Sequence, residues 1–236
     1  MIKNKPKAIL FDVFGTVVDW RTSIIQELEV FFRNKSKEEE CAKIADLWRE
    51  AYMPSMNRVR KGEIKWKNLD ELHYNSISKI FMDLGIENIK KEEVRELVYA
   101  WHRLSPWPDS VEGLLALQEC SIIGTLSNGN VSLLVNMAKY SKLSWDIIFS
   151  AEHFKHYKPD SEVYLGAASL LGLDPDQIML VAAHNSDLLA AKKCGFQTTF
   201  IARPNEYGPH QKKNMYPLDC VDYSVKIIKE ITKIYN

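Results

Sequence analysis

The sequence predicts an α/β fold, in which a doubly wound parallel sheet forms the core and a helical unit is inserted after the first strand. Beyond residue 106, apolar runs of strand length alternate with helical patterns, which indicates a parallel sheet covered on both faces. Residues 18–103 differ, because they are rich in Glu, Lys, Leu, Trp and Tyr and follow a helical period. We therefore expect a core domain of residues 1–17 and 104–236, with residues 18–103 as a helical cap domain.

The elements of the core follow from local pattern. Start and stop residues support the helices, because Asn130 can cap the second, Gly172 can end the third and Cys194-Gly195 can end the fourth. The strands of this Rossmann-like core are predicted at residues 7–13, 121–126, 146–150, 177–182 and 197–202, and its helices at residues 111–119, 131–140, 162–171 and 188–194.

Three helices are predicted in the inserted segment. Residues 36–39 (SKEE) resemble a capping box, which would begin a helix that runs to just before Pro54. The other two helices are expected at residues 69–84 and 92–103. Such a unit is well placed to lie over the carboxyl ends of the strands, where doubly wound sheets bind ligands.

Composition excludes several classes of protein. Lys and Arg together number 31, as do Asp and Glu, so nothing suggests a nucleic-acid partner or an anionic membrane surface. No apolar run approaches the roughly 20 residues that span a bilayer. The N-terminal apolar stretch lacks a small-residue cleavage site, so we interpret it as a strand. The 4 cysteines are widely spaced, which predicts free thiols and a cytoplasmic location.

Four polar motifs fall where strands should end. Taken singly, each is more typical of helix capping. Taken together, they bring a carboxylate, a hydroxyl–amide pair, a lysine and a second carboxylate to one edge of the sheet, which is a recognisable catalytic set. The motifs are FDVFGT at residues 11–16, LSNG at 126–129, YKPD at 157–160 and VAAHNSD at 181–187.

On these motifs the chain resembles the haloacid dehalogenase superfamily over nearly its whole length, and within it the metal-independent L-2-haloacid dehalogenases. The resemblance implies an aspartate nucleophile, polar groups around it, an arginine that assists halide departure, and a homodimer. The matching residues are Asp12 as nucleophile, Thr16, Ser127, Asn128 and Lys158 around it, Asp187 in the last motif, Trp48-Arg49 in the insertion, Tyr164, and residues 203–209.

Two acids of the superfamily's metal-dependent phosphatases are missing here. Their first motif is Asp-x-Asp, in which the second acid protonates the leaving alcohol, but this chain has Phe14 at that position. Ala183 stands where their last motif supplies an acid that helps to hold Mg²⁺. A halide leaves as an anion and needs no proton, so Phe14 can instead form an apolar wall beside Asp12. We therefore expect no metal and no cofactor.

The resulting hypothesis is hydrolytic dehalogenation in two steps. Asp12 attacks C2 of a short L-2-halocarboxylate and forms an ester, which water hydrolyses to a 2-hydroxy acid. Lys158 would keep Asp12 ionised, since a cation within about 4–6 Å lowers a carboxylate pKa. Other expected roles are orientation of Lys158 and water by Asp187, hydrogen bonds from Thr16 and Ser127 to Asp12, halide acceptance by Arg49 and Asn128, and substrate binding by Val13, Phe14, Arg49, Ser127, Asn128 and Lys158.

Several features allow more than one interpretation. Some family members have Asn where this chain has His184, so His184 could be a general base for ester hydrolysis or only a structural hydrogen-bonding group. Glu50 could repel an anionic substrate, although a solvent-facing position is the favoured interpretation. His153-x-x-His156 could suggest a metal, but no third ligand is evident.

Two other functions stay open. One is a related hydrolase, phosphatase-like, which uses the same aspartate on another ester or on a phosphate. The other is a catalytically idle member that binds a small carboxylate between core and cap. Replacement of Asp12 discriminates the idle protein from both enzymes, and a requirement for Mg²⁺ discriminates the phosphatase.

Overall fold

Six parallel strands form the central sheet of the computed structural model, which describes residues 5–33 and 40–234. The sheet order is β5-β4-β1-β6-β7-β8, so the strand order reverses at the central strand β1 and creates the switch point at which such sheets bind ligands. The strands are β1 (Ala8–Phe11), β2 (Val18–Asp19), β3 (Ser105–Pro106), β4 (Ile122–Ser127), β5 (Ile147–Ser150), β6 (Ile178–Ala182), β7 (Gln197–Ile201) and β8 (Tyr223–Val225).

Helices cover both faces of this sheet, as the alternating side chains of β1 require. Ile9 and Phe11 face the hydrophobic cluster that contains α6, α7 and the inserted helices, whereas Ala8 and Leu10 face the cluster formed with α9 and α10. The helices are α1 (Trp20–Phe32), α2 (Cys41–Glu50), α3 (Tyr52–Arg60), α4 (Leu69–Asp83), α5 (Lys91–Val98), α6 (Ser110–Gln118), α7 (Val131–Tyr140), α8 (Ala151–Phe154), α9 (Ser161–Leu171) and α10 (Asn185–Lys193), with 3₁₀ turns at Tyr99–His102, Pro175–Gln177 and Ile228–Lys233.

The inserted segment is helical and begins and ends at one place. β2 pairs with β3 in an antiparallel ribbon, in which Val18 lies opposite Pro106 and Asp19 lies opposite Ser105. This ribbon brings the two ends of the insertion together directly after the first strand. No helix in the described ranges is both long enough and apolar enough to cross a membrane.

A cluster of aromatic rings packs the insertion against the core. Trp101 lies at its centre: it stacks on Trp20 at 6.2 Å and on His73 at 4.2 Å between ring centroids. Trp48 meets the Trp101 ring edge-on at 5.5 Å, and Phe14 does so at 5.9 Å. Phe14 thus joins the core to the insertion at a position two residues after Asp12.

The structure confirms the α/β fold, its parallel sheet and the helical insertion. Each predicted core strand and core helix is present, and Asn130, Gly172 and Cys194 stand at the expected helix ends. The edge strand β8 was not predicted, because it has only three residues. Helix α1 was also missed, although Asp19 gives a start signal: its side chain accepts a hydrogen bond from the Thr22 amide at 3.1 Å.

The predicted helix boundary before Pro54 is wrong. Helix α2 ends at Glu50, and α3 begins at Tyr52, so Pro54 lies in the first turn of α3. Amides of a first turn have no partner within the helix, so a proline is tolerated there. The capping box predicted at residues 36–39 lies outside the described residues. The helix predicted at residues 92–103 is α5 followed by the tighter 3₁₀ turn Tyr99–His102.

Arg203, in the segment after β7, links the start of α6 to the loop after β1. Arg203 Nη1 and Nη2 donate to the Asp109 carboxylate at 2.7 and 3.1 Å, and Arg203 Nε donates to the Thr16 carbonyl at 2.9 Å. Asp109 also accepts from the Ile228 amide at 2.9 Å. Both charged side chains are largely buried, at 7% exposure for Arg203 and 15% for Asp109.

We expect Asp109→Ala to lower the free energy of unfolding by about 3 kcal/mol, because it leaves the buried Arg203 guanidinium unpaired. Urea denaturation measures this change. The control is Glu112→Ala, which removes a solvent-exposed ion pair with Lys229 and should leave the midpoint almost unchanged. Equal midpoints for the two variants would contradict the prediction.

Candidate active site

Asp12 lies directly after β1, at the carboxyl edge of the central strand. Its amide donates to the Val181 carbonyl at 3.0 Å, which extends the pairing of β1 with β6 by one residue. The chain then turns sharply through Gly15, whose φ of +83° favours glycine. The amides of Val17 and Val18 both donate to the Val13 carbonyl, at 2.9 and 3.2 Å. Asp12 is therefore presented at the base of a tight loop.

Side chains from distant parts of the chain fix this loop. Trp107 Nε1 donates to the Gly15 carbonyl at 3.0 Å, and Ser110 Oγ donates to the Val17 carbonyl at 2.6 Å. Arg203 holds the Thr16 carbonyl, as described above. The loop carbonyls thus have fixed partners, and this rigidity preorganises the carboxylate at its base.

Both oxygens of the Asp12 carboxylate have hydrogen-bond donors. Lys158 Nζ donates to Oδ1 at 3.0 Å. Thr16 Oγ1 donates to Oδ2 at 2.8 Å, and His184 Nδ1 lies 3.1 Å from the same oxygen. Burial alone would raise the pKa of Asp12, but Lys158 and His184 together lower it well below the ordinary value. The group is ionised at neutral pH.

Lys158 is held between two carboxylates. Its Nζ also donates to Asp187 Oδ2, and Tyr164 OH donates to Asp187 Oδ1 at 2.5 Å. The backbone amide of Lys158 donates to Asn128 Oδ1 at 2.7 Å, which links the lysine to the residue that follows β4. Burial would lower the pKa of Lys158, but Asp12 and Asp187 raise it, so the ammonium group is charged. Burial and the nearby Asp12 raise the pKa of Asp187.

A second buried acid, Glu206, lies on the opposite side of His184. His184 Nε2 is 2.9 and 3.1 Å from its two carboxylate oxygens, and Trp20 Nε1 donates to one of them at 3.0 Å. Burial would lower the pKa of His184, but Glu206 and Asp12 raise it well above its ordinary value. Burial would raise the pKa of Glu206, and His184 lowers it. Imidazolium and carboxylate therefore form a charged pair.

Sequence reasoning placed Glu206 only within a matching segment and gave it no role. The available signal was its position: an isolated acid in a Pro- and Gly-bounded loop after the last predicted strand. Its burial is complete, at 0% exposure, and it packs against Gly15 so closely that a Cβ there would lie 2.1 Å from Oε1. A glycine is thus needed at residue 15, both for the positive φ and to leave space for the Glu206 carboxylate.

Arg49 extends from the last turn of α2 toward the same site. Its guanidinium carbon lies 4.4 Å from the centroid of the Tyr52 ring and 5.3 Å from that of Trp20, and Nη2 lies 3.8 Å from Glu206 Oε1. Its Nη1 is buried and makes no hydrogen bond to any described residue. A buried cationic N–H of this kind is suited to an anion.

The groups converge on one cavity of about 740 Å³ between the sheet and the insertion. The exposed Glu50 lies at its mouth, as the solvent-facing interpretation predicts. Its inner wall is formed by Asp12, Phe14, Trp20, Arg49, Tyr52, Asn128, Lys158, Tyr164, His184 and Asp187, and its mouth by Asp46, Glu50, Met53, His210, Gln211, Lys212, Lys213 and Asn214.

Three of the predicted site residues, Val13, Thr16 and Ser127, do not line this cavity. The Val13 side chain packs in the hydrophobic core, and the Ser127 hydroxyl accepts a hydrogen bond from the Gly129 amide at 3.2 Å. The hydrogen bond expected from Ser127 to Asp12 is absent from the described part of the chain. Thr16 Oγ1 does donate to Asp12, but its side chain is fully buried behind the carboxylate.

The donors around Asp12 do not suit a divalent cation. Phe14 and Ala183 offer no side-chain oxygen, and cationic side chains are bound to both Asp12 oxygens. Within residues 5–33 and 40–234, no three His, Cys, Asp or Glu side chains are grouped to hold a metal. His153 Nδ1 instead lies 3.1 Å from the Ser150 amide, and His156 Nδ1 lies 3.4 Å from Asp160.

The doubly wound sheet, the helical insertion and a carboxylate at the central strand end define a capped α/β hydrolase. A sequence model of the haloacid dehalogenase-like hydrolases matches residues 6–195. The (S)-2-haloacid dehalogenase 4A of Burkholderia cepacia is 31% identical over 210 residues, which are 85% of this chain and 86% of that protein. The chain belongs to the haloacid dehalogenase-like hydrolase family.

Solved structures agree with this assignment. A defluorinating L-2-haloacid dehalogenase has a TM-score of 0.95 at 43% identity, and the match covers 98% of this chain and 96% of that one. A second L-2-haloacid dehalogenase has a TM-score of 0.93 at 41% identity and 97% coverage of both chains.

We expect the charge on His184 to make stability depend on pH in a specific window. A histidine whose pKa is raised on folding stabilises fully below its ordinary value of 6.5, and this contribution declines as the pH rises toward the folded-state pKa. The free-energy difference between the wild type and His184→Asn should therefore shrink above pH 6.5, by at most about 1.4 kcal/mol per pH unit. Urea denaturation across this range measures it, and a constant difference would contradict the prediction.

Proposed function

We propose that this protein hydrolyses short L-2-haloacids to 2-hydroxy acids, through an ester on Asp12 and without a metal. The observation that carries the proposal is an ionised Asp12 with apolar residues, Phe14 and Ala183, at the two positions where a phosphatase needs acids. The names of the relatives support the substrate class, since the B. cepacia relative is an (S)-2-haloacid dehalogenase and both solved relatives are L-2-haloacid dehalogenases.

In the first step, Asp12 Oδ1 is the attacking atom. From the residues that the structure describes, Oδ2 accepts two hydrogen bonds and Oδ1 accepts one, so a lone pair on Oδ1 is available. The Oδ1–C2 bond forms as the C2–halogen bond breaks, and the halide leaves with the electron pair. Attack from behind inverts C2, and no proton moves. Phe14 keeps this side of the carboxylate dry, which favours attack on carbon.

Arg49 and Asn128 receive the departing halide. Arg49 carries its charge into the cavity on the rings of Trp20 and Tyr52, and its Nη1 has no other partner in the described residues. Asn128 lines the same wall, with its Oδ1 engaged by the Lys158 amide. Positive charge that meets the leaving group lowers the barrier because the halide gains negative charge in the transition state.

In the second step, water attacks Cγ of the Asp12 ester and gives one proton to Asp187. Asp187 is placed to accept it, because it lines the cavity and binds the same Lys158 ammonium group as Asp12. The Cγ–Oδ1 bond then breaks, and the alkoxide takes the proton from Asp187. The regenerated Asp12 acid loses the second water proton to solvent. The product hydroxyl oxygen is thus Oδ1, and the water oxygen stays in Asp12.

We further propose a cytoplasmic homodimer. In the described part of the chain no two cysteines are joined by a disulfide, which supports a reducing compartment. Val30, Met82 and Tyr99 on the inserted segment are 60%, 72% and 45% exposed, which offers apolar surface to a second copy. Light scattering after size exclusion distinguishes dimer from monomer.

We expect halide and D-lactate from L-2-chloropropionate in chelator-containing buffer, and neither from the D-enantiomer. Asp12→Asn should lower the rate by roughly 10⁴-fold or more, because the nucleophile is lost. Ion chromatography measures halide, and Asp83→Asn, at a half-exposed ion pair on α4, is the matched control. Fluoroacetate belongs in the panel because one relative is named as defluorinating.

Failure has a distinct signature in the same assay. Turnover of p-nitrophenyl phosphate that begins only when Mg²⁺ is added, with no halide from any substrate, would identify a phosphatase. Substrate binding with no product, unaffected by Asp12→Asn, would identify an idle binding protein.

A further inference from the structure

The pair of His184 and Glu206 has no task in the two steps above. His184 bridges two carboxylates: Nδ1 is 3.1 Å from Asp12 Oδ2, and Nε2 is 2.9 Å from Glu206 Oε1. Its side chain is 14% exposed, and that of Glu206 is 1% exposed. An imidazole with a carboxylate at each nitrogen donates from both, so neither nitrogen is free to accept a proton from water.

Thr16 and His184 together point two donors at one oxygen. The Ala183 amide donates to Thr16 Oγ1 at 2.9 Å, so the hydroxyl proton of Thr16 is directed to Asp12 Oδ2 at 2.8 Å. His184 approaches the same oxygen with Nδ1. The remaining oxygen, Oδ1, accepts a hydrogen bond from Lys158 and from no other residue in the described ranges. The two carboxylate oxygens therefore have different environments before any substrate binds.

We propose that His184 and Thr16 form the oxyanion hole for hydrolysis of the Asp12 ester, and that Glu206 is the positioning residue that keeps His184 oriented and charged. This inference rests on the proposed aspartyl ester. Once Oδ1 is bonded to substrate, Oδ2 is the ester carbonyl oxygen. When water attacks Cγ, the carbonyl electron pair moves to Oδ2, which becomes the oxyanion between these donors. His184 keeps its proton throughout.

The charge on His184 acts differently in the two half-reactions. During attack on C2, a cation at Oδ2 withdraws electron density from the nucleophile and gives no advantage. During ester hydrolysis, the same cation stabilises charge that develops only in the transition state. Loss of this cation should therefore slow ester hydrolysis while halide release continues.

Glu206 is fixed by contacts other than His184. Trp20 Nε1 donates to its Oε1, and Gly15 leaves the space that its carboxylate occupies. Arg49 Nη2 lies 3.8 Å from Oε1. Among the described residues, the ionisable groups that face His184 and its cavity are Asp12, Arg49, Tyr52, Lys158, Tyr164, Asp187, Glu206 and Tyr207, with Asp46, Glu50, His210, Lys212 and Lys213 at the mouth.

The first test separates the half-reactions by rapid quench with L-2-chloropropionate. His184→Ala, which removes the donor altogether, should retain a halide burst of one equivalent and accumulate the ester, detected by intact mass, while ester hydrolysis slows by roughly 10²–10³-fold, the usual effect of losing one oxyanion-hole donor. Equal slowing of both steps, with no ester, would overturn the inference.

The second test uses the pH profile of Glu206→Gln, a substitution of nearly equal shape. Without the Glu206 charge, the pKa of His184 should fall toward its ordinary range, so ester hydrolysis should match the wild type near pH 6 and decline as the pH rises to about 8. The wild type should lack this decline. A rate that instead rises with pH would mean that neutral His184 acts as a base. Glu27→Gln, which alters an ion pair with Arg103 elsewhere in the insertion, is the matched control.

A third measurement needs no variant. Nitrogen NMR of the wild-type imidazole at about pH 8 should find both His184 nitrogens protonated, and a neutral ring would overturn the inference. Failure of the proposed function looks different. If the wild type gives neither halide nor a covalent adduct on Asp12, the ester does not form, and both proposals fall together.

Discussion

A buried ammonium group, Nζ of Lys158, is the point on which the site depends. It binds the carboxylates of Asp12 and Asp187, which could not both be ionised at such depth without a shared cation. From Lys158 the sign of the charge alternates along a row of contacts: Asp12 is negative, His184 is positive and Glu206 is negative. A change in any one charge therefore alters the protonation of its neighbours, and the residues act as a single electrostatic unit.

The helical insertion supplies what the sheet cannot. The parallel strands β1, β4 and β6 are followed by the polar residues Asp12, Asn128 and His184, while α2 carries Arg49 over them on a base of aromatic rings. Those rings also form the contact between the insertion and the core, because Trp20 packs on Tyr207 and Trp101 packs on Phe14. The same aromatic side chains thus pack the insertion on the core and support the Arg49 guanidinium. The position of this guanidinium therefore depends on the contact between insertion and core.

Much of this architecture was predictable from sequence, for physical reasons. Buried parallel strands are continuous apolar runs, and the motif residues follow them directly, which is why Asp12, Lys158 and Asp187 could be brought together in advance. Short and edge elements were missed: β8 has three residues, and Pro54 is compatible with the first turn of a helix as well as with its end. The role of Glu206 was not predictable, because it depends on contacts with Trp20 and Gly15, which are far away in sequence.

The contact of Arg203 with the loop after β1 has a consequence for biosynthesis. Arg203 donates a hydrogen bond to the Thr16 carbonyl, and Glu206, three residues later, pairs with the charged His184. The first motif therefore depends on groups that lie nearly two hundred residues downstream. A nascent chain that still has this segment in the ribosomal tunnel exposes an incomplete loop beside unpaired charges. The loop that presents Asp12 therefore gains its full set of contacts only after residues 203–206 have left the tunnel.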